Sequence, residues 1–302
     1  MAFHVPEKNT ALYREVRQRF KVLLKKRVIT GIDEDALDRW LANFRGDTEQ
    51  YFAACVLGRL TFRSRSMIES SIDHALQCLL PPALRKQGFF PHADIESFLT
   101  ALQKPDAKSP IRFVAVDGSK ERDAGKSGPV VIRRYRHANI NSDHMCRLEH
   151  IHGLQPHVKC IVFVDDMLGT GKQFATFAKT HELESQQSRW HMIYCPLVAF
   201  HSGVDHLEQV CPWLQVIPIE TLNDSHKFFC GHKDDPTLWA VDAENTVDDA
   251  RAFYDDLTSA RGIPSFTKHG LELLLGFEDS APNNTLSVLW ANSEHWASLL
   301  KR

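Results

Sequence analysis

Ile161-Val162-Phe163-Val164-Asp165-Asp166-Met167-Leu168-Gly169-Thr170-Gly171-Lys172-Gln173 carries more architectural information than any other run in this chain. Four apolar residues read as a buried parallel strand, two carboxylates stand at its carboxyl end, and a Gly/Thr loop opens a helix expected over 172–180. Open α/β sheets bind ligands at that edge. The loop offers backbone N–H groups and the Thr170 hydroxyl to an anion at a helix N-terminus, while carboxylates accept hydrogen bonds from sugar hydroxyls or hold Mg²⁺. A ribose 5-phosphate matches both halves.

The surrounding pattern is that of an α/β sheet. Apolar runs at 111–116, 130–135, 160–166, 191–200 and 214–219 are expected strands, with helices over 172–180, 203–210 and 247–259. The first hundred residues read instead as helices: a basic one with Leu12, Val16, Phe20 and Leu23 or Leu24 at helical spacing, others from Asp33 and from Asp47 or Thr48, a fourth from Ser64 or Ser66 that Pro81-Pro82 should stop, and a short one from Asp94. The stretch Gln103-Lys-Pro-Asp-Ala-Lys-Ser-Pro110 looks like a boundary. The expectation is an all-helical domain over 1–105 and an α/β domain over 106–302.

The acidic strand and its loop resemble the phosphoribosyl-pyrophosphate (PRPP) loop of type I phosphoribosyltransferases. The resemblance implies a mainly parallel sheet flanked by helices, Asp165 and Asp166 as the catalytic, ribose-binding pair, and Gly169, Thr170, Gly171, Lys172 and Gln173 around the 5′-phosphate. Where that family has a small residue and then Thr, this chain has Lys172 and Gln173. One hydroxyl ligand is therefore missing, and an ammonium stands in its place. The turn Gly118-Ser119-Lys120 follows the first strand, at the place where these enzymes hold pyrophosphate; Lys126 and Ser127 add donors, and Arg134 and Arg136 would share a strand face. Mg²⁺ is implied, bound through the ligand and Asp165 or Asp166, with no organic cofactor.

A P-loop NTPase is the competing reading, with the acidic strand as Walker B and Gly125-Lys126-Ser127 as the end of Walker A. A Walker A loop needs four residues between its first Gly and the Gly-Lys pair; Gly118 to Gly125 leaves six. The residues after Ser127 are β-branched where a helix is required.

Gly276-Phe277, Pro282-Asn283-Asn284-Thr285-Leu286, Leu289-Trp290 and Trp296, with Trp40, Phe44, Tyr51 and the Arg63-to-Ile68 stretch, are similar to phosphoribosyltransferase-like proteins of bacterial conflict systems, retron-associated effectors among them. That likeness implies a role in antiviral defence acting on a nucleotide or nucleoside, with transfer or cleavage at the ribose anomeric carbon. A catalytically inactive nucleotide sensor that gates a partner is the alternative.

At 43% hydrophobic and 25% charged residues, the composition is that of ordinary globular material. No apolar run approaches the roughly 18 residues of a membrane span. The first residues resemble neither a signal peptide nor a presequence, and seven scattered cysteines read as reduced thiols, so a cytoplasmic location is expected. His144, Cys146, His150, His152, Cys230 and His232 lack zinc-ligand spacing. Residues 1–110 hold 17 Lys/Arg against 13 Asp/Glu, and the rest 19 against 25. The basic first helix is thus a candidate surface for a protein or nucleic-acid partner, a retron reverse transcriptase with its DNA included.

Overall fold

The computed structural model describes residues 2–116, 128–138, 140–231, 239, 242, 244–265 and 270–302. They form two compact units, one of 1–65 with 223–302 and the other of 66–222. The compositional break at 103–110 lies inside the second unit, so the chain does not divide at residue 105. The reason lies in what the first helices bury.

In the first unit α1 (Leu12–Lys25) turns Val16, Phe20 and Leu24 inward, and α2 (Glu34–Leu41), capped by the Asp33 carboxylate on the Ala36 N–H at 2.7 Å, buries Leu37, Trp40 and Leu41. α3 (Gly46–Gly58) is buried along Tyr51 to Leu57. These faces are completed by the C-terminal segment. Trp40 Nε1 donates to the Val288 carbonyl at 2.7 Å, Asn43 Nδ2 donates to the Ala297 carbonyl at 2.8 Å, and the Phe44 and Trp296 rings meet edge-on at 5.2 Å. Strand β1 (Thr61–Arg63) pairs in parallel with β7 (Leu275–Phe277). Burying a large apolar side chain contributes about 1.5–3 kcal/mol, and α1–α3 gain it partly from one another, α1 on α3, and partly from residues at the other end of the chain.

The second unit begins with a helical run: α4 (Arg65–His74, its first residue belonging to the first unit), a π-turn (Ala75–Leu79), α5 (Leu80–Lys86) and α6 (Ile95–Gln103). Pro81-Pro82 do not stop the fourth helix as expected. They fall in the first turn of α5, where an N–H has no helical acceptor to lose, because the π-turn has already broken the regular ladder.

Five parallel strands follow: β2 (Ile111–Ala115), β3 (Cys160–Leu168), β4 (His191–Phe200), β5 (Leu214–Val216) and β6 (Glu220–Leu222), in the order β2-β3-β4-β5 with β6 also on β4. β5 and β6 share one edge of β4, joined by Ile217 and Ile219 N–H groups donating to the Tyr194 and Pro196 carbonyls. The outer strand breaks opposite Pro196, which has no N–H to give.

The stretch expected as a strand over 130–135 is a helix, α7 (Gly128–His137). Val131, Arg134 and Tyr135 are buried while Arg133 and Arg136 are exposed, a helical spacing, so packing overrides the β-branched composition. The Tyr135 ring lies 5.6 Å from that of Phe113 on one face of the sheet. Phe163, Met192 and Tyr194 pack on the other, against Phe174 and Phe177 of α8 (Lys172–Thr180). α9 (His201–Val210) follows β4. No helix among the described residues is long and apolar enough to cross a membrane.

Candidate functional site

The site is built on the carboxyl end of β3, and the strand runs past the acidic pair to Leu168. Side chains alternate along it, so Asp165 falls on the face of Phe163, under α8, while the Asp166 carboxylate stays close enough to interact with that of Asp165. Asp165 is 2% exposed, contrary to the expectation of two carboxylates open at a strand end, and Asp166 is half-buried. Asp165 Oδ2 accepts from the Tyr194 hydroxyl at 3.0 Å, and its Oδ1 accepts from the Asp166 backbone N–H at 2.9 Å. Burial first, and then the charge of Asp166, push the Asp165 carboxyl well above the ordinary carboxylate range. The Tyr194 hydroxyl is raised too, by burial and then by Asp165.

Three residues beyond Asp166 the chain turns. Gly169 and Thr170 are half-buried, Gly171 takes φ 78°, and α8 begins at Lys172. The N-cap of that helix, Gly171, has no side chain to cap it, and among the described residues no side-chain cap is present, so its first N–H groups can meet an outside acceptor at the positive end of its dipole. Lys172 and Gln173 are exposed there. Thus the structure gathers Asp166, Gly169, Thr170, Gly171, Lys172 and Gln173 on one loop edge, with Asp165 behind them.

Glycines fix the loop in place. A methyl group on Gly203, in the first turn of α9, would lie 2.0 Å from the Gly169 carbonyl oxygen, and one on Gly171 would lie 2.9 Å from both the Gly203 carbonyl oxygen and His206 Cδ2. Backbone packs on backbone between this loop and α9. Gly203 and Tyr194 escaped the sequence reading. A tyrosine inside the apolar run Met192-Ile193-Tyr194-Cys195 was the available signal, since a buried hydroxyl requires a partner.

The candidate pyrophosphate residues Gly118, Ser119, Lys120, Lys126 and Ser127 lie outside the described residues. The last described residue before them, Val116, donates its N–H to the Val164 carbonyl at 3.0 Å, one position ahead of Asp165. Arg134 and Arg136 do not share a face: on helix α7 the first is buried and the second exposed. His144, from the His/Cys cluster, is buried, with Nε2 3.2 Å from the Ala101 and Lys104 carbonyl oxygens.

For Mg²⁺ the two carboxylates differ. Asp165 is the poorer candidate ligand, because it is buried and each of its oxygens already accepts a hydrogen bond. Asp166 fits one corner of an ion whose other ligands are phosphate oxygens and water. Among the described residues no group of three or more His, Cys, Asp or Glu could hold a metal ion by itself.

A parallel sheet with an acidic strand end, followed by a Gly-Thr-Gly loop that opens a helix, defines a phosphoribosyltransferase-like protein of type I fold. The chain belongs to the PRTase-CE family, whose profile matches residues 37–302. α1 precedes the matched region. Among solved structures the chain is similar to orotate phosphoribosyltransferase from Aeropyrum pernix, with 15% identity over 41% of this chain and 66% of that one, at a TM-score of 0.23. No curated protein matches its sequence.

Proposed function

We propose that this protein binds a ribose 5-phosphate ligand, PRPP or a nucleotide, and transfers or cleaves at the anomeric carbon. One observation supports the reading above the rest: the uncapped N-terminus of α8 begins on the same loop, and a few residues after, the half-buried carboxylate of Asp166. The open N–H groups and the Lys172 ammonium take the 5′-phosphate, and Asp166 accepts hydrogen bonds from the ribose hydroxyls. Bond cleavage at the anomeric carbon builds positive charge on the ribose ring and negative charge on the leaving group. Held at both ends, the ring loses little freedom as that charge develops, and fixed loop dipoles need not reorganise. Mg²⁺, when bound through the ligand and Asp166, neutralises charge on the leaving pyrophosphate or nucleotide. Bacterial antiviral defence is the biological setting we propose with it, following the likeness of the sequence to conflict-system proteins.

A second reading, a catalytically silent nucleotide sensor, is favoured by Lys172 and Gln173 standing where a small residue and Thr are usual. Incubating the protein with labelled PRPP and a panel of bases, then with NAD and nucleotides, separates the two. Turnover supports the enzyme, saturable binding without turnover supports the sensor, and no binding of any of these ligands refutes both.

A further inference from the structure

The acidic pair is not two equivalent carboxylates. Asp165 has both oxygens occupied, by the Tyr194 hydroxyl at 3.0 Å and the Asp166 N–H at 2.9 Å, and only 2% of its surface is exposed. Swinging it toward a ligand would strand the buried Tyr194 hydroxyl without an acceptor. The Tyr194 ring is itself held: it stacks on Phe174 at 4.2 Å and 24°, and Phe174 is the third residue of α8. Phe174 in turn meets Phe163, two positions before Asp165, edge-on at 5.6 Å. One closed circuit of side chains therefore runs from the carboxylate corner of β3 through β4 to the first turn of α8 and back.

From this circuit we infer that the pair is divided in role: Asp166 alone meets the ribose, while Asp165 is a positioning residue, clamped by Tyr194, which ties the carboxylate corner to the phosphate-binding turn of α8. The inference rests on the ribose 5-phosphate reading above. Its consequence is a particular asymmetry between isosteric changes. In Asp165→Asn the amide oxygen still accepts from the Asp166 N–H, and the amide nitrogen donates to the Tyr194 oxygen, so the two side chains stay tied with Tyr194 as the acceptor in place of the donor. In Asp166→Asn the charge facing the ribose is lost. Tyr194→Phe keeps the ring stack and removes the clamp.

Calorimetric titration of the full chain with PRPP, ribose 5-phosphate and inorganic phosphate tests this. Asp165→Asn should bind ribose 5-phosphate within about threefold of the parent, whereas Asp166→Asn should weaken it at least about tenfold, as expected for a charge-assisted hydrogen bond. Tyr194→Phe should weaken ribose 5-phosphate by about fivefold, roughly a lost neutral hydrogen bond, and leave inorganic phosphate nearly unchanged, because only the joining of the two halves is impaired. A purely structural role would lower both ligands together. Asp165→Asn falling as far as Asp166→Asn overturns the division of roles while the binding reading stands; a parent that binds neither PRPP nor ribose 5-phosphate overturns both. Should Asp165→Asn fail to fold, Tyr194→Phe decides alone, and equal losses for both ligands, or none for either, overturn the inference.

Discussion

Replacing Gly203 by alanine places a carbon where the Gly169 carbonyl already is. The added methyl would stand 2.0 Å from that oxygen, 2.9 Å from its carbon and 3.2 Å from the Gly171 nitrogen. Ordinary contact needs about 1 Å more. The obstacle is backbone and cannot rotate aside, so either the phosphate loop or α9 must move by that amount. Such overpacking costs about 1–3 kcal/mol, against which alanine in a helix returns about 0.8–1 kcal/mol over glycine. Because the obstacle is backbone, the upper part of that overpacking range applies, about 2–3 kcal/mol, and the clash wins with a net loss of about 1–2 kcal/mol, or roughly 2–8 °C in thermal midpoint for a unit of this size. Binding should suffer more than stability, since a 1 Å misplacement of a binding group can cost about a hundredfold. Thermal denaturation and titration with PRPP measure the two effects, with Gly153→Ala as control, because a methyl there meets nothing within 4 Å. If Gly203→Ala melts and binds like the parent, the loop is not pinned by α9 and the reasoning fails.

Other consequences are open to direct measurement. Lys172→Ala should cost about 1.5–3 kcal/mol in binding a nucleoside monophosphate and nothing for the bare nucleoside; equal effects on the two ligands would remove the ammonium from the site. Lys25, Lys26 and Arg27 are exposed at the end of α1, and the apolar side of that helix is spent in the core, so their joint change to alanine should weaken nucleic-acid or acidic-partner binding while hardly altering the melting temperature. For a nucleic acid, the slope of log affinity against log salt should flatten by up to roughly 0.9 per phosphate contact removed, and a parent without such binding would return α1 to a solvated face. Hydrogen bonds from the Thr246 hydroxyl and then its N–H hold Asp249 at about 2, below the ordinary carboxylate range. The stability it lends is complete above that range and is lost as pH falls through about 2, so Asp249→Asn should differ from the parent at neutral pH and converge on it in acid.

How much of this was legible beforehand follows from how local each signal is. The acidic strand, its loop and α8 are written within thirteen consecutive residues, and the structure begins α8 at Lys172 as expected. The burial of Asp165 was not legible, because a strand taken to end at Asp166 puts both carboxylates in the open; two more paired residues, Met167 and Leu168, restore the alternation and turn one inward. Val130 to Tyr135 misled for a different reason. Its β-branched residues favour a strand, and only the packing of Tyr135 against Phe113 makes a helix of it. The meeting of Trp40 with Val288 spans 248 positions, a distance over which no pattern in the sequence speaks.

The discontinuity of the first unit sets a schedule for synthesis. Residues 1–65 emerge with Trp40, Phe44 and Phe52 already in place along their helices, but Trp296, which packs on Phe44, follows roughly 230 residues later. At a bacterial or eukaryotic ribosome's pace of about 5–20 residues per second, those aromatics wait roughly 10–50 s for their cover. Residues 66–222 are contiguous and can close in the meantime. The nascent chain thus carries a finished ligand-binding unit beside an exposed, greasy N-terminal segment. It is that segment, and not the sheet, on which a chaperone would act and from which aggregation would start if translation stalled before Leu286.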